Sequence, residues 1–406
     1  MEFNYLTLDD FDLRDKRVLV RLDMNAPLDP VTKQILDDSR ILAAKPTLEA
    51  LKESRVVVLA HQGRPGKEDF TSLQQHAALL QKNCAQHVTF IDDVMGPAAR
   101  DAIKATERGE VLVLDNVRFC SEEILEDKGE KLAKTNLVSR LAPLFNLYVN
   151  DAFASAHRAQ ASLVGFPYLL PSAAGRLMEK ELAALKRVLE KPQRPSTYAL
   201  GGAKIEDKVP VVENILSTGT ADRVLVGGNV GKVFLKAAGH MFNDAEEQML
   251  AKAVEQTQKA KSILSNHPGS VVMPTDFGTF ENDKRLEMSV AEMARAGRCL
   301  DIGPQTIRKF SDVLGASKTV VASGPMGVFE QQGFEIGTRA ILEAMAGSSA
   351  FTVIGGGHLA GYADMLGITE RFSHVSTAGG AMLSLLAGEE LPAIEALVNA
   401  AKRHRK

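Results

Sequence analysis

Short apolar segments recur along the chain, and each ends abruptly in glycine or in polar residues. They have the length of buried strands and are separated by stretches of helical length. The segments are residues 18–20, 56–60, 88–91, 111–114 and 147–149 in the first half, and 197–200, 224–226, 271–273, 319–322 and 351–354 in the second half. Strands that are apolar on both faces and alternate with helices are typical of a parallel sheet covered on both sides. Because the pattern runs through twice, we predict an α/β fold with two doubly wound parallel-sheet (Rossmann-like) domains.

One strongly periodic segment lies between the two halves. Its apolar residues recur at helical spacing, namely Leu177, Met178, Leu182, Leu185, Val188 and Leu189. Pro192 and Pro195 follow and would end a helix. We therefore predict a connecting helix at this point and not a flexible linker.

The composition narrows the possible classes of protein. The chain has 406 residues, more than one core usually supports, which predicts two domains of about 150–200 residues. Apolar residues make up 45%, charged residues 24% and the net charge is −3, so nothing favours nucleic acid or a membrane as a general partner. No segment reaches the ~18 apolar residues of a membrane helix. The first residues do not resemble a signal peptide, and the three cysteines are far apart. We expect a cytoplasmic enzyme without a disulfide framework or zinc site.

The predicted strand ends in the first half are rich in cationic residues. In an open α/β sheet, ligands bind at the carboxyl ends of the strands. Here those ends carry residues 21–25, 61–65, 115–118 and 150–158, and Arg40 follows a further polar loop. Arginine holds phosphate and carboxylate groups through paired hydrogen bonds. A single arginine would most simply form a surface ion pair, but the repetition predicts a small, multiply anionic substrate.

The strand ends in the second half carry glycines where the first half carries arginines. They are residues 201–204, 227–229, 323–327 and 355–358, and residues 376–380 begin a further predicted helix. Glycine lets the backbone approach a ligand closely, and the N–H groups at a helix start bind anions. This pattern favours a nucleotide.

The most informative segment is Gly201 to Lys208. It follows a predicted strand that ends at Leu200 and precedes residues 209–216, which are predicted to be helical if Pro210 lies in the first turn. Lys204 and Lys208 are four residues apart, so on a helix they would point the same way. Two ammonium groups above a glycine turn fit a polyphosphate. The alternative is a glycine-rich turn with two solvated lysines.

Three tempting motifs do not fit. Residues 227–233 resemble a P-loop, but the spacing is one residue short and Val233 stands where serine or threonine is needed. Residues 276–278 spell the metal motif of protein kinases without the catalytic-loop pattern before it. No strand is followed by the glycine fingerprint of dinucleotide-binding proteins, which disfavours a nicotinamide cofactor.

The ordered motifs resemble the phosphoglycerate kinase family over essentially the whole chain. The match rests on residues 21–27, 61–65, 116–119, 150–162, 201–208, 324–330, 355–357 and 373–377. The resemblance implies two doubly wound domains joined by a helix, with a cleft between them and a C-terminal segment that returns to the first domain. We accordingly place the substrate domain at residues 1–172, the connecting helix at 173–191, the nucleotide domain at 192–388 and the returning segment at 389–406.

The resemblance also implies the reaction and the residues that perform it. The acyl phosphate of 1,3-bisphosphoglycerate would pass reversibly to ADP held with Mg²⁺, giving 3-phosphoglycerate and ATP, in glycolysis and gluconeogenesis. The substrate-binding residues would be Asp23, Met24, Asn25, Arg40, His61, Gln62, Gly63, Arg64, Arg118 and Arg158. The nucleotide-binding residues would be Gly201, Gly202, Ala203, Lys204, Lys208, Gly227, Gly228, Pro325, Glu330, Gly355, Gly356, Gly357, His358, Thr377, Gly379 and Gly380. The catalytic residues would be Arg40, Lys204 and Lys208. We expect a monomer, with a homodimer as the alternative, and neither nucleic acid nor membrane as a partner.

Two positions depart from the family pattern. His358 stands where most members have a metal-binding aspartate, as in archaeal-type members, and imidazole is a poor ligand for magnesium. The metal ligands are therefore left unassigned, and we expect His358 to contact phosphate or to cap a helix. Ala378 replaces the first of three glycines, which matters only if that position needs a positive φ. Another acyl-phosphate kinase and a non-catalytic paralogue remain as alternatives, although the residues that each would be expected to lack are present.

Overall fold

Two six-stranded parallel sheets form the framework of the chain in a computed structural model, which describes residues 4–405. The strands are β1 Arg17–Leu22, β2 Arg55–Leu59, β3 His87–Ile91, β4 Glu110–Leu114, β5 Leu147–Asp151, β6 Ser172–Ala174, β7 Ser196–Leu200, β8 Arg223–Val226, β9 Val271–Val272, β10 Asp276–Glu281, β11 Lys284–Ser289, β12 Arg298–Ile302, β13 Thr319–Ser323, β14 Phe351–Gly355 and β15 His374–Ser376.

Helices connect most of these strands. They are α1 Ser39–Leu42, α2 Lys45–Ala50, α3 Gln74–Asn83, α4 Pro97–Ala105, α5 Gly129–Leu132, α6 Asn136–Leu141, α7 Phe166–Leu169, α8 Arg176–Glu190, α9 Ile205–Ser217, α10 Gly228–Ala237, α11 Asp244–Leu250, α12 Val254–Asn266, α13 Pro304–Gly315, α14 Ile336–Gly347, α15 Gly357–Met365, α16 Gly379–Leu386 and α17 Pro392–His404. A π-helical segment at Ala161–Gly165 leads into α7. No helix among residues 4–405 is both long and apolar enough to cross a membrane.

The described residues divide into two compact units. Unit 1 holds the residues up to Leu182 together with those from Glu390 onward, and unit 2 holds Ala183–Glu389. The boundary falls within α8, so this one helix belongs to both units.

The sheet of unit 1 has the strand order β3-β4-β2-β1-β5-β6. Every pairing is parallel. Val18, Leu19 and Val20 are fully buried in the central strand β1, because helices cover both faces of the sheet. Strand β2 pairs with one side of β1, and β5 pairs with the other side. The strand order therefore reverses between β1 and β5. Such a reversal is where open α/β sheets bind ligands.

The main sheet of unit 2 repeats this plan with the order β15-β14-β13-β7-β8-β9, again with parallel pairings. Its order reverses at β7 and β13. A separate antiparallel sheet, β11-β10-β12, adds to this unit. The predicted fold class is confirmed, and every predicted strand is found in one of the two parallel sheets.

The structure differs from the prediction at the sheet edges and in one helix. The three-residue edge strands β6 and β15 and the antiparallel sheet were missed, because short or half-exposed strands carry little apolar signal. The helix predicted at residues 209–216 begins earlier, at Ile205, so Pro210 lies inside α9 and not in its first turn.

Candidate active site

The carboxyl end of β1 places an ion pair at the point where the strand order of unit 1 reverses. Asp23 follows the strand directly, and its carboxylate Oδ2 lies 3.0 Å from Nη1 of Arg40, which belongs to the short helix α1. The Asp23 side chain is almost fully buried, whereas that of Arg40 is 36% exposed. Arg40 can therefore present its remaining guanidinium N–H groups to a ligand while Asp23 holds it in place.

The loop after β2 is fixed by hydrogen bonds from neighbouring strand ends. Asn25 accepts a hydrogen bond from the Gly63 backbone N–H at 2.8 Å. Arg118, which follows β4, donates to the Gly63 carbonyl oxygen. Gln62 is fully buried, and its amide pairs with both backbone groups of Ala26 at 2.9 and 3.0 Å.

Two residues of the predicted substrate-binding set thus have structural side chains. Gln62 uses its amide to hold the loop in place, and Met24 is fully buried in the core of unit 1. Only their backbone groups are left for ligand contact.

Arg40, Arg64, Arg118 and Arg158 form the cationic rim of unit 1, and their charges act on neighbouring groups. Burial and the neighbouring Arg158 and Arg21 lower the pKa of Arg118 to about 10. Burial and Arg64 likewise lower the pKa of Arg158. Cations that repel one another without enough carboxylates between them are stabilised by a bound anion. The rim therefore fits a ligand with more than one negative charge.

His61 stays neutral within this cationic surrounding. Its pKa is held well below the usual value, first by burial and then by Arg21, Arg118, Arg158 and Arg40. A neutral imidazole offers one N–H donor to an anion.

A cavity of about 690 Å³ occupies the carboxyl ends of the strands in unit 2. This volume is typical of a site for a nucleotide-sized ligand. The predicted residues that line it are Gly201, Gly202, Ala203, Lys204, Lys208, Gly228, Pro325, Glu330, Gly356, Gly357, His358, Gly379 and Gly380. Gly227, Gly355 and Thr377 were also predicted to bind nucleotide but do not line this cavity.

Glycines bring the loops after β7 and β13 into direct backbone contact. A Cβ on Gly201 would lie 2.2 Å from the Pro325 carbonyl oxygen, and one on Gly324 would lie 2.3 Å from the Gly201 oxygen. By contrast, a Cβ on Gly357 would meet nothing within 4 Å. The cavity thus has one wall of tightly packed backbone and, beside α15, space that a ligand can fill. Ala378 has a φ of −130°, so this substitution strains nothing, and its N–H donates to the Ser376 hydroxyl.

The two lysines at α9 face the same cavity but in different surroundings. Lys204 is exposed and is the N-cap residue, so it lies just before the first helical residue of α9. The four-residue helical spacing that predicted a common direction for the two lysines therefore does not apply to it. Lys208 is buried, and its Nζ donates to the carbonyl and hydroxyl oxygens of Ser323 at 2.7 and 2.6 Å. Burial lowers the pKa of Lys208 to about 7, with Lys204 adding to this effect and Asp207 opposing it.

Nucleotide binding at pH 8 should therefore take up close to one proton. Free Lys208 is mostly neutral at this pH, and nearby phosphates would raise its pKa and charge it. Calorimetric titration with ADP in two buffers of different ionisation enthalpy measures this uptake. The uptake should vanish in Lys208→Met and shrink at pH 6, and an equal uptake in the variant would contradict the prediction. The lowered pKa of Lys208 also affects stability. Below pH 7 the buried ammonium lowers the free energy of unfolding, and this penalty decreases as the pH rises from 7 toward the unfolded pKa of about 10.4.

Several cavity residues could not be predicted from the strand ends. Phe277, Arg298, Cys299, Leu300 and Asp301 line it from the antiparallel sheet, which the sequence pattern did not reveal. Met249 and Glu246 lie on α11. Phe277 lies in the segment that spells the kinase metal motif, and its position in the cavity is unrelated to that motif.

Lys232 supports the rejection of the P-loop interpretation. Its ammonium is buried and lies 2.8 Å from a carboxylate oxygen of Glu246. A lysine that is paired inside the protein is not available as the phosphate-binding lysine of a P-loop.

The described residues offer no preformed metal site. Within residues 4–405, no three histidine, cysteine, aspartate or glutamate side chains lie together in a way that could hold a metal ion. His358 is exposed in the first turn of α15, with its ring 6.0 Å from that of Phe329.

These features define a class of protein, a kinase in which one unit carries a cationic rim and the other a glycine-lined cavity with two lysines. The model of the family described as phosphoglycerate kinase matches residues 8–389. A phosphoglycerate kinase from Methanobacterium bryantii is 43% identical over 410 residues, which cover all of both chains.

Solved structures agree with the family model. The crystal structure of phosphoglycerate kinase from Pyrococcus horikoshii superimposes with a TM-score of 0.89 at 40% identity, covering 98% of this chain and 99% of that one. The enzyme from Coxiella burnetii gives 0.81 at 34% identity, covering 98% and 100%. The chain belongs to the phosphoglycerate kinase family, and its activity is that of a phosphotransferase with a carboxyl group as acceptor, EC 2.7.2.3.

Proposed function

We propose that unit 1 binds 3-phosphoglycerate and that unit 2 binds the adenine nucleotide with its magnesium ion. The observation that carries this proposal is the contrast between the two sets of strand ends. In unit 1, burial and the charges of neighbouring arginines lower the pKa values of Arg118 and Arg158. In unit 2, glycines and two lysines line a cavity of about 690 Å³.

In unit 1, the anionic groups of 3-phosphoglycerate would be shared among the cations of the rim. Arg64, Arg118 and Arg158 would neutralise the 3-phosphate, and His61 would donate one further hydrogen bond to it. Arg40, held by Asp23, would lie against the carboxylate that accepts the phosphoryl group. Bidentate arginine contacts also fix the orientation of the acid, which a point charge would not.

In unit 2, the nucleotide would lie along the cavity with its phosphates at the glycine-rich helix starts. The N-terminus of α15, next to Gly356 and Gly357, offers backbone N–H groups to a phosphate. Lys204 and Lys208 would neutralise the transferred group, and Glu330 would accept hydrogen bonds from the ribose. The magnesium ion would arrive on the nucleotide phosphates, with water as its other ligands.

This assignment accounts for the chemistry without a general base. The attacking carboxylate is already ionised at neutral pH, so no proton has to be removed from it. The remaining requirements are in-line positioning and neutralisation of the charge on the equatorial oxygens of the phosphoryl group. Arg40, Lys204 and Lys208 would supply that positive charge.

A coupled assay of ATP-dependent phosphorylation tests the substrate. We expect turnover with 3-phosphoglycerate and none with acetate, aspartate or unphosphorylated glycerate, because only the first fills the phosphate-binding rim. In the same assay, Arg158→Ala should raise the KM for 3-phosphoglycerate and leave the KM for ATP unchanged. Equal turnover with acetate would instead indicate a different acyl-phosphate kinase, and the absence of any turnover would indicate a non-catalytic paralogue.

Replacing His358 with aspartate should make the activity depend more steeply on magnesium. A carboxylate in the first turn of α15 is compatible with the helix, because the N-terminal end of the helix dipole favours negative charge. It adds a hard oxygen ligand for magnesium but repels the nucleotide phosphates when the metal is scarce.

Magnesium titrations of the parent and His358→Asp at fixed ATP measure this effect, with His358→Asn as the uncharged control. Activity of His358→Asp should fall at low free magnesium and recover as magnesium rises. Loss of all activity at every magnesium concentration would mean that the imidazole contacts phosphate directly and that aspartate cannot replace it.

A further inference from the structure

A buried chain of hydrogen bonds runs beneath the cationic rim of unit 1. It begins at Glu123, passes through Ser162 and Arg21, and ends at His61. All four residues are buried, and Glu123, Ser162 and Arg21 are fully so. The first three belong neither to the predicted binding residues nor to the reaction as described above.

The first link joins a buried carboxylate to a serine. The Ser162 hydroxyl lies 2.5 Å from Oε1 of Glu123, and the Ser162 backbone N–H donates to Oε2 at 2.8 Å. Ser162 is held in place because its carbonyl oxygen accepts the Tyr148 hydroxyl at 2.7 Å. It belongs to the π-helical segment Ala161–Gly165, and such rare turns often occur at functional sites.

The second link joins the serine to a buried guanidinium. Nε of Arg21 donates to the Ser162 hydroxyl oxygen at 2.8 Å, and Nη1 donates to the Leu22 carbonyl oxygen. Since the hydroxyl oxygen already accepts from Arg21, its single hydrogen is directed to Glu123. Burial raises the pKa of Glu123, and the charge of Arg21 and the bonds from Ser162 oppose this rise.

The third link fixes the state of His61. Nη2 of Arg21 lies 3.0 Å from Nδ1 of His61. A guanidinium has only N–H donors, so Nδ1 must be the acceptor. The proton of a neutral His61 is therefore on Nε2. Protonation at Nδ1 would set two donors against each other beside a fixed cation.

We infer that Glu123 is a positioning residue, which acts through Ser162 and Arg21 to hold His61 as a neutral imidazole with its proton on Nε2. His61 then meets the anionic substrate as a hydrogen-bond donor and not as a cation. The inference rests on the proposed role of unit 1, and its chemistry is confined to orientation, since no bond is made or broken.

The groups that face His61 agree with this state. Arg21 on β1, Arg40 on α1, Arg118 after β4 and Arg158 after β5 all disfavour an imidazolium, as does burial. A protonated His61 would be a fifth cation among these four arginines and would be destabilised by their repulsion until the anionic substrate bound. A fixed neutral donor avoids that cost and keeps its direction over the whole neutral pH range.

The direct test is nitrogen NMR of the substrate-free protein labelled at histidine, with the His61 signals assigned from His61→Gln. We expect an unprotonated Nδ1 and a protonated Nε2 between pH 5.5 and 8.5. An imidazolium at pH 7, or a proton on Nδ1, would overturn the inference. A failure of 3-phosphoglycerate to bind the parent protein would instead count against the proposed function, and the two results are independent.

Variants test the positioning role. In Glu123→Gln we expect His61 to exchange between tautomers, together with a rise of about 10-fold in the KM for 3-phosphoglycerate. The kcat and the KM for ATP should change little. The matched control is Glu122→Gln, the neighbouring carboxylate, which instead accepts the backbone N–H of Leu137. The control should keep the parent's tautomer and KM.

Ser162→Ala provides a second route, because it interrupts the chain while leaving both charges in place. It should reproduce the tautomer exchange and the selective rise in KM, and Ser162→Thr should restore both. If Glu123→Gln does not fold, Ser162→Ala decides the matter. An unchanged His61 tautomer in Ser162→Ala would overturn the inference.

Discussion

Replacing Lys204 with alanine should lower kcat by about 100- to 1,000-fold, with a much smaller effect on the KM for ATP. The exposed ammonium of Lys204 stands at the start of α9 on the wall of the cavity, where it can meet charge that spreads onto the transferred phosphoryl oxygens. One preorganised donor that acts on the transition state is typically worth about 3–4 kcal/mol. Arg40→Ala should show a loss of similar size, measured as kcat under saturating substrates.

Matched controls separate catalysis from the general loss of a charge. Lys318→Ala removes an exposed lysine just before β13, at the opposite edge of the same sheet. Arg55→Ala removes an arginine whose Nη2 lies 2.9 Å from Asp15, much as Arg40 pairs with Asp23, but at the amino end of β2. Both controls should retain near-parental kcat. Near-parental kcat in Lys204→Ala and Arg40→Ala as well would refute their catalytic assignment.

Gly324→Ala should lower the free energy of unfolding of unit 2 by about 2–4 kcal/mol and weaken nucleotide binding. Gly324 has a φ of +79°, and an added Cβ would lie 2.3 Å from the Gly201 carbonyl oxygen. The methyl group would therefore strain its own backbone and push apart the two loops that form the cavity wall. Urea denaturation of the full chain and calorimetric titration with ADP measure the two effects.

Gly333→Ala is the control that separates the two causes. Gly333 has a similar φ of +85°, but an added Cβ would meet nothing within 4 Å. This variant should lose about 1 kcal/mol from backbone strain alone and bind ADP normally. If the two variants were equally destabilised, the close packing of the loops after β7 and β13 would not be what Gly324 provides.

The sequence by itself determined the framework of this protein. Apolar runs such as Val18–Val20 and Val56–Ala60 became fully buried parallel strands, because a strand covered on both faces needs no polar side. Candidate ligand-binding residues could also be predicted from their positions after those strands, since the carboxyl ends of the strands in such sheets lie along one edge. Arg118 in unit 1 and Lys204 in unit 2 were predicted in this way, and they do follow β4 and β7.

Only the tertiary structure determined the burial, the hydrogen-bond partners and the pKa values of these residues. Lys204 and Lys208 are alike in the sequence, but one is an exposed N-cap and the other is buried against Ser323, more than a hundred residues away. Gln62 was predicted to bind substrate, but its amide holds the backbone of Ala26. Glu123 and Ser162 were not predicted to bind anything, yet their hydrogen bonds lead through Arg21 to His61. Local sequence patterns report which face of an element is apolar. Burial, pairing and the resulting pKa values depend on partners brought together by folding across long stretches of chain, and no local pattern encodes them.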